Sequence, residues 1–177
     1  MMASSSSSIS ISSILKAGNT AVITGASSGI GRAAALYFAL KGMHVWMVDN
    51  YAEELKDATA LGQKRCIIGS RSSNSNSNSN SSNSNNKKHF QTIKGRVVDV
   101  SDEQAMTDLA DEVFDKGGKC HFLFNNAGVQ PSAKGVPLTN SDMSTMKFTV
   151  NTNLYGPIHR CQAFLPKMKK WEKTALS

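Results

Sequence analysis

Features that would place this chain in a specialised class are scarce. The 177 residues contain three cysteines, Cys66, Cys120 and Cys161. An odd number without paired spacing argues against a disulfide framework and a structural zinc site, so we expect reduced, mostly buried, unreactive thiols. The longest apolar run, Ala33 to Leu40, is far shorter than the roughly 18 residues of a membrane helix. No membrane partner is therefore expected.

Acidic residues are also few, with 13 Asp and Glu against 20 Lys and Arg, which gives a net charge of +7. Two interpretations are open, a generally basic surface and a nucleic-acid patch. The basic residues are not interleaved with aromatic residues, and no nucleic-acid motif occurs. A basic surface without a nucleic-acid partner is therefore favoured.

Two segments are too polar to build a core. Residues 1–17 are Ser-rich, lack acidic residues and Arg, and have no apolar stretch typical of a secretory signal. They predict a disordered leader and a cytoplasmic protein, and an organellar transit peptide is the alternative. Residues 72–86 contain only Ser and Asn, which predicts a disordered insertion.

Apolar periodicity predicts that strands and helices alternate along the rest of the chain. The predicted strands are Asn19–Gly25, His44–Val48, Ile93–Val100 and His121–Phe124. The predicted helices are Gly29–Leu40, Ala52–Leu61, one that begins at Ser101 in a capping box and ends at Gly117-Gly118, and one from Asp142 to Met168 that Gly156-Pro157 kinks. This alternation implies an α/β fold with a parallel sheet covered on both faces, in the strand order 3-2-1-4.

A glycine-rich turn joins the first strand to the first helix. Residues Thr24 to Gly31 read TGASSGIG. Gly25 is expected to form the tight turn, Gly29 to let a pyrophosphate approach the backbone, and Gly31 to let the helix pack closely on the sheet. The free N–H groups of the helix N-terminus would then face the phosphates. The turn predicts a nucleotide site that also includes Ser27, Ser28 and Ile30.

Asp49 closes the second strand. A carboxylate at this position can accept hydrogen bonds from ribose hydroxyls and would repel a 2′-phosphate. The alternative is an ordinary strand-end Asp that turns into the next helix. Asn50 follows and no cation is adjacent, so NAD is favoured over NADP as the cofactor.

The pattern Thr-Gly-x-x-x-Gly-x-Gly resembles the signature of the short-chain dehydrogenase/reductase family. Asp99-Val100 resembles the family pair beside the adenine, and Asn125-Asn126-Ala127-Gly128 resembles the motif that supports the sheet and lines the cofactor cleft. Asn153-Leu154-Tyr155-Gly156, followed by Leu165-Pro166-Lys167-Met168, resembles the family helix. The resemblance implies a doubly wound, Rossmann-like sheet. It also implies cofactor contacts at Asp99, Val100, Asn126, Ala127 and Gly128.

By the same resemblance, Asn153 is the active-site asparagine that helps to hold a water in a proton relay; the alternative is a polar residue on a solvated helix face. The family's catalytic Ser, Tyr and Lys would follow the helix that ends near Met168, and the sequence given ends at Ser177. Tyr37 and Lys41 have the family's Tyr-x-x-x-Lys spacing. They lie in the first helix, and we interpret them as a coincidence.

The sequence thus predicts an incomplete Rossmann-like domain of about four strands over residues 18–170, with a tail at 171–177. The expected function is that of an oxidoreductase that transfers hydride between NAD and a small alcohol or carbonyl substrate, inactive as this 177-residue chain. The alternative is a non-catalytic nucleotide-binding or interaction fragment. Phe122 to Phe124 is expected to be an unpaired edge strand, which leaves pairing into a homo-oligomer open.

Overall fold

The computed structural model describes residues 11–72, 91–130, 140 and 142–175. Its strands are β1 (Thr20–Thr24), β2 (His44–Asp49), β3 (Ile93–Val97) and β4 (Phe122–Phe124). Its helices are α1 (Ile11–Ile14), α2 (Gly29–Leu40), α3 (Ala52–Ser72), α4 (Glu103–Gly117), α5 (Met143–Val150) and α6 (Gly156–Ala175), and a π-helical turn, Asn151–Tyr155, joins α5 to α6. In the part of the chain described, no helix is both long and apolar enough to cross a bilayer.

The four strands form one parallel sheet in the order β3-β2-β1-β4, which confirms the predicted topology. Residue Ala21 of β1 pairs with Val45 of β2 on one side and with Phe122 of β4 on the other. The chain runs outward from β1 to β3 and then returns to the far side of β1. The crevice between β1 and β4 is therefore the switch point at which doubly wound sheets bind ligands.

Both faces of the sheet are buried. Along β1, Ala21 and Ile23 point into a core shared with α2 and α3, whereas Val22 points into a second core shared with α4 and α6. Successive strand residues face opposite sides. A strand that is covered on both faces therefore has apolar residues at successive positions, as at residues 21–23.

Several helix boundaries differ from prediction. Helix α3 was expected to end at Leu61 but continues to Ser72, because Gly62 packs where a side chain would meet Ile93 and Cys66 is buried in the core. Ser72 is the first residue of the predicted Ser/Asn insertion, and the rest of that insertion lies outside the described residues. Residues 11–17 of the predicted disordered leader include the helical turn α1, which Asn19 anchors by donating to the carbonyls of Ser13 and Ile14.

The N-terminus of α4 also corrects the prediction. The capping residue is Asp102, not Ser101, and its carboxylate accepts from the Ala105 N–H at 2.9 Å. Ser101 instead bonds to the Asp99 carboxylate through both its N–H and its hydroxyl. Asp competes well with Ser at the N-cap because its two oxygens accept readily from the free N–H groups. The C-terminus ends as predicted, at Gly118 with φ +69.

The long C-terminal helix has three parts. Directly before the predicted kink at Gly156-Pro157, residues 151–155 form a π-helical turn, in which the Gly156 N–H donates to the Asn151 carbonyl. Pro157 has no N–H to continue the ordinary ladder. Helix α6 also continues to Ala175, through residues expected to form a tail. Three apolar residues of this segment, Met143, Val150 and Leu154, are exposed.

Candidate functional site

A cavity of about 380 Å³ opens at the carboxyl ends of the strands. Its walls come from the segments that follow each of the four strands and from α5 and the π-helical turn. It is lined by Gly25, Ser27, Ser28, Gly29, Ile30, Asp49, Asn50, Tyr51, Val98, Asp99, Val100, Asn126, Ala127, Gly128, Val129, Phe148 and Thr152. The tertiary structure therefore brings together the predicted cofactor residues of four separate segments. Gly31 lies just behind this lining.

The glycines of the turn have different environments. A Cβ at Gly31 would lie 2.1 Å from the Gly25 carbonyl oxygen, and one at Gly25 would lie 2.8 Å from the Ala127 Cα. Both positions therefore require glycine for packing. Gly31 was expected to let the helix pack closely on the sheet, and its contacts are with the Gly25 carbonyl and the Asn126 side chain. Gly29 has φ +51 and open space where a Cβ would be. At that position the backbone is exposed to whatever occupies the cavity.

The N-terminus of α2 is free to bind an anion. The N-cap residue, Ser28, makes no side-chain cap hydrogen bond, and its carbonyl accepts from the Arg32 N–H at 3.0 Å. The N–H groups of the first helical turn have no intrahelical acceptors. Together with the positive end of the helix dipole they form an anion-binding position beside Gly29 and Ile30.

Asp49 makes the strand-end turn that the sequence offered as the alternative to a ribose contact. It is buried, and its carboxylate accepts from the Ser27 N–H at 2.9 Å and from the Tyr51 N–H at 3.3 Å. The second bond is the turn into the next helix, and the first ties β2 to the glycine turn. A carboxylate offers about four acceptor positions, so Asp49 retains capacity for hydroxyl donors in the cavity.

Thr24 and Asn126 join β1 to the segment after β4. The Thr24 hydroxyl accepts from the N–H groups of Asn126 and Ala127 at 3.2 and 3.1 Å. In return the Asn126 side chain donates to the carbonyls of Thr24 and Gly25 at 3.0 and 3.2 Å. These bonds fix the cavity wall that Asn126 to Gly128 form.

Asn153 lies outside the cavity lining. Its side chain makes two hydrogen bonds to the backbone of Val129, one from the Val129 N–H and one to the Val129 carbonyl, each 2.8 Å. It therefore clamps the π-helical turn to the cavity wall. The predicted relay role stays a prediction. The Tyr37 and Lys41 pair lies on the outer side of α2, with the Lys41 ammonium 5.3 Å from the Tyr37 ring, and neither residue lines the cavity.

Sequence reasoning missed six lining residues: Asn50, Tyr51, Val98, Val129, Phe148 and Thr152. Four of them follow strand ends and could have been found from the rule that ligands bind at carboxyl edges. Phe148 and Thr152 could not, because only the packing of the C-terminal helix brings them to the cavity.

The sequence also gave no sign of a buried cation. Arg160 of α6 is fully buried and donates from Nε to the Asn125 side chain at 2.8 Å, and burial lowers its pKa to about 10. Of the three cysteines, Cys66 and Cys120 are buried as expected and Cys161 is half-buried. Burial raises the pKa of Cys120 to about 12.

The family model for short chain dehydrogenase matches residues 19–70 and 63–175. The chain belongs to the short-chain dehydrogenase family. The two matched segments overlap at residues 63–70, just before the Ser/Asn tract, and together they cover the sheet and every predicted site residue.

Individual family members agree with this assignment. Dehydrogenase/reductase SDR family member 7B of Xenopus laevis is 31% identical over 149 residues, which are 84% of this chain and 40% of that protein. A metagenomic short-chain oxidoreductase in complex with NADP has a TM-score of 0.68 at 25% identity, covering 87% of this chain and 58% of that one. An NAD+-bound xylitol dehydrogenase has a TM-score of 0.68 at 26% identity, covering 86% and 48%. The chain spans about half the length of the curated relatives it matches.

Proposed function

We propose that the cavity binds a nicotinamide adenine dinucleotide and that this chain carries the cofactor-binding part of an alcohol or carbonyl oxidoreductase. The observation that carries the proposal is the open backbone at Gly29 beside the uncapped N-terminus of α2. A side chain at this point would occupy the space in which a pyrophosphate meets free N–H groups. The relatives named as dehydrogenases and the neighbours bound to NADP or NAD+ support it.

Different lining residues would bind different parts of the cofactor. The first-turn N–H groups of α2, at Gly29 and Ile30, would hold the pyrophosphate. Asp49 would accept from the ribose hydroxyls on the β2 side, and Asn126 to Gly128 would form the wall on the β4 side. When bound, the dinucleotide supplies or accepts the hydride. This chain's own residues orient it and shield it from water on the side of the sheet.

We further propose that Asn153 keeps its clamp on Val129 when the relay forms. Both of its side-chain groups already bond to the Val129 backbone. Any water it helps to hold would therefore be bound through the π-helical turn that it anchors. Small alcohols and carbonyl compounds are the proposed substrate class.

The preferred cofactor is NAD rather than NADP. The lining contains the carboxylates of Asp49 and Asp99, and none of the described residues that line the cavity is Lys or Arg. An added 2′-phosphate beside Asp49 would place like charges together without a compensating cation. Isothermal titration of both oxidised cofactors should give the lower Kd for NAD.

Asp49→Asn is the informative variant because it removes the charge but keeps the shape. The substitution should raise the Kd of NAD severalfold and bring the Kd values of NAD and NADP closer together. Tighter binding of NADP by the unmutated chain would contradict the preference. Failure to bind either cofactor would contradict the proposed function itself.

A further inference from the structure

A histidine joins β4 to β1 at the amino ends of these two strands. His121 directly precedes β4, and its backbone N–H donates to the Thr20 carbonyl at 2.9 Å. In return the Thr20 backbone N–H donates to Nδ1 of the His121 ring at 3.0 Å. Thr20 is buried, with 2% of its surface exposed. Both backbone groups of this buried residue therefore bond to His121, and one of them bonds to the ring.

The hydrogen bond from Thr20 requires a neutral ring. A ring nitrogen accepts a hydrogen bond only when it carries no proton, so the proton of the His121 ring is on Nε2. A protonated imidazole has an N–H group at both nitrogens. The Nδ1–H group would then face the N–H of Thr20 and would leave this buried donor without its acceptor. A buried donor that loses its acceptor destabilises the folded state.

The surroundings of His121 also disfavour a charged ring. Burial is the larger cause that lowers the pKa of His121 below its usual 6.5, and the charge of Lys119 lowers it further. Since parallel strands need helices that run back between them, the C-terminal ends of the helices lie at this end of the sheet. The described charged side chains there are Lys16, Lys41, Asp111, Glu112, Asp115, Lys116, Lys167, Lys169 and Lys170. Basic groups outnumber acidic ones among them, and Asp111 and Glu112 already pair with Lys167 and Lys116.

The position of His121 matters because β4 is a short strand. It pairs with β1 over three residues, whereas β2 pairs with β1 over five. At the carboxyl end of β4, the side chains of Thr24 and Asn126 tie the strand to β1. At the amino end, the His121 ring does so. Side chains therefore hold both ends of the strand that leads into the cavity wall, and the bond at the amino end depends on protonation.

A second histidine makes a similar contact with a different neighbour. His44 begins β2, and its Nδ1 accepts from the backbone N–H of Thr92 at 3.1 Å. The Thr92 hydroxyl lies 3.0 Å from the same nitrogen. When His44 is protonated, this hydroxyl oxygen can accept from Nδ1 and replace the lost bond. Protonation should therefore cost less at His44 than at His121.

We propose that His121 is an acid-sensitive latch, whose protonation breaks the bond from Thr20 and loosens the amino end of β4. Histidine is the side chain whose ordinary charge change lies between pH 5 and 8. The folded chain holds the neutral ring, so the latch is fully closed above pH 6.5. Its contribution to stability is lost as the pH falls below 6.5 toward the lowered pKa of the folded state. The latch needs no bound dinucleotide, so it goes beyond the proposed function.

The experiment is urea unfolding of the full 177-residue chain and its His121 variants at about pH 7.5 and about pH 5.5. His121→Asn keeps an acceptor near the position of Nδ1 but cannot be protonated in this range. Between the two pH values, the folding equilibrium constant of the unmutated chain should fall about fivefold to tenfold more than that of His121→Asn. His121→Leu has no acceptor, and it should be less stable than His121→Asn at both pH values.

His44→Asn is the matched control. It makes the same change at the amino end of β2, where the Thr92 hydroxyl offers the protonated ring another acceptor. The acid-dependent loss of this variant should stay close to that of the unmutated chain. A loss that His44→Asn removes and His121→Asn leaves in place would overturn the assignment to His121.

Nuclear magnetic resonance of the unmutated chain gives a readout that does not depend on how any variant folds. The nitrogen chemical shifts of the His121 ring should show an unprotonated Nδ1 at about pH 7.5, and the ring should titrate below its ordinary pKa of about 6.5. Equal acid sensitivity of the unmutated chain and His121→Asn would overturn the latch. A His121 ring that titrates at or above 6.5, or that has its neutral-state proton on Nδ1, would overturn it as well. NAD binding at pH 7.5 would leave the proposed function standing in each case.

Discussion

At the scale of single residues, three positions with glycine show how differently the same residue type is used. Gly31 has no room for a side chain, since a Cβ would meet the Gly25 carbonyl oxygen at 2.1 Å. Gly29 and Gly118 both have positive φ, +51 and +69, and both have open space around them. They differ in that Gly29 lines the cavity and Gly118 ends α4.

Alanine substitutions at these positions should therefore separate packing from ligand binding. Gly31→Ala should lower the free energy of unfolding by about 2–3 kcal/mol, because overpacking displaces backbone. Gly29→Ala and Gly118→Ala should each lose about 1–2 kcal/mol from the left-handed backbone alone. Urea denaturation measures these losses, and dinucleotide titration should show weaker binding for Gly29→Ala and unchanged binding for Gly118→Ala. Equal affinity in both variants would mean that the pyrophosphate does not lie at Gly29.

At the scale of elements, an ion pair connects the edge strand β3 to helix α4. The Glu112 carboxylate accepts from the Arg96 guanidinium, with Nε to Oε2 at 2.7 Å, and from the Lys116 ammonium at 2.7 Å. The Arg96 hydrogen bonds are the main cause that lowers the pKa of Glu112 from its usual 4.5 to about 2. Since the Arg96 side chain is 39% exposed, solvent screens much of this interaction.

The pair should contribute stability that depends on pH. Because the folded-state pKa of Glu112 is lowered, its contribution is fully present above pH 4.5 and is lost as the pH falls toward 2. Glu112→Gln should therefore unfold at lower urea than the unmutated chain at pH 7, by about 1 kcal/mol or less, and the difference should shrink between pH 4.5 and 2.

Glu53→Gln is the matched control, since Glu53 pairs with Lys56 at 3.9 Å on a far more exposed surface. It should have no measurable effect on the free energy of unfolding at any pH. A loss in Glu112→Gln that is independent of pH would show that the pair contributes through packing rather than charge.

At the scale of the whole molecule, topology assembles the cavity. Its lining comes from segments as far apart in sequence as Gly25 and Thr152, and they meet because parallel strands end at one edge of the sheet. Among the described lining residues the one phenolic hydroxyl belongs to Tyr51, beside Asp49. The Tyr37 and Lys41 pair is on the surface of α2.

The 177-residue chain is accordingly expected to bind the dinucleotide and to show little or no turnover. General acid–base groups are typically worth about 10²–10⁴ in rate, and the described residues that line the cavity provide no Tyr and Lys pair with the required spacing. The measurement is reduced-nicotinamide absorbance with NAD and a panel of secondary alcohols. Turnover typical of a dehydrogenase that Asn153→Ala abolishes would contradict the expectation.

Local sequence signals determined most of the strands, turns and helix ends of this protein. The apolar alternation of residues 21–23, the glycine turn and the helix-ending Gly118 each depend on backbone conformation or burial within a few residues. Sequence therefore predicted the strand order, the bounds of α2 and the strand-end residues of the site. Asp102 shows the limit of such signals, since Ser101 and Asp102 both suit an N-cap and only the structure selects between them.

Only the tertiary structure decided the rest. Helix α3 continues past Leu61 because its later residues pack on the core, and packing overrides weak local propensity. Arg160 is buried where its helix meets the sheet, although an arginine alone predicts exposure. Phe148 and Thr152 line the cavity because the C-terminal helical segment packs beside the strand ends, where Asn153 bonds to Val129. Contacts between residues so distant in sequence arise from the arrangement of elements in space, which local patterns do not encode.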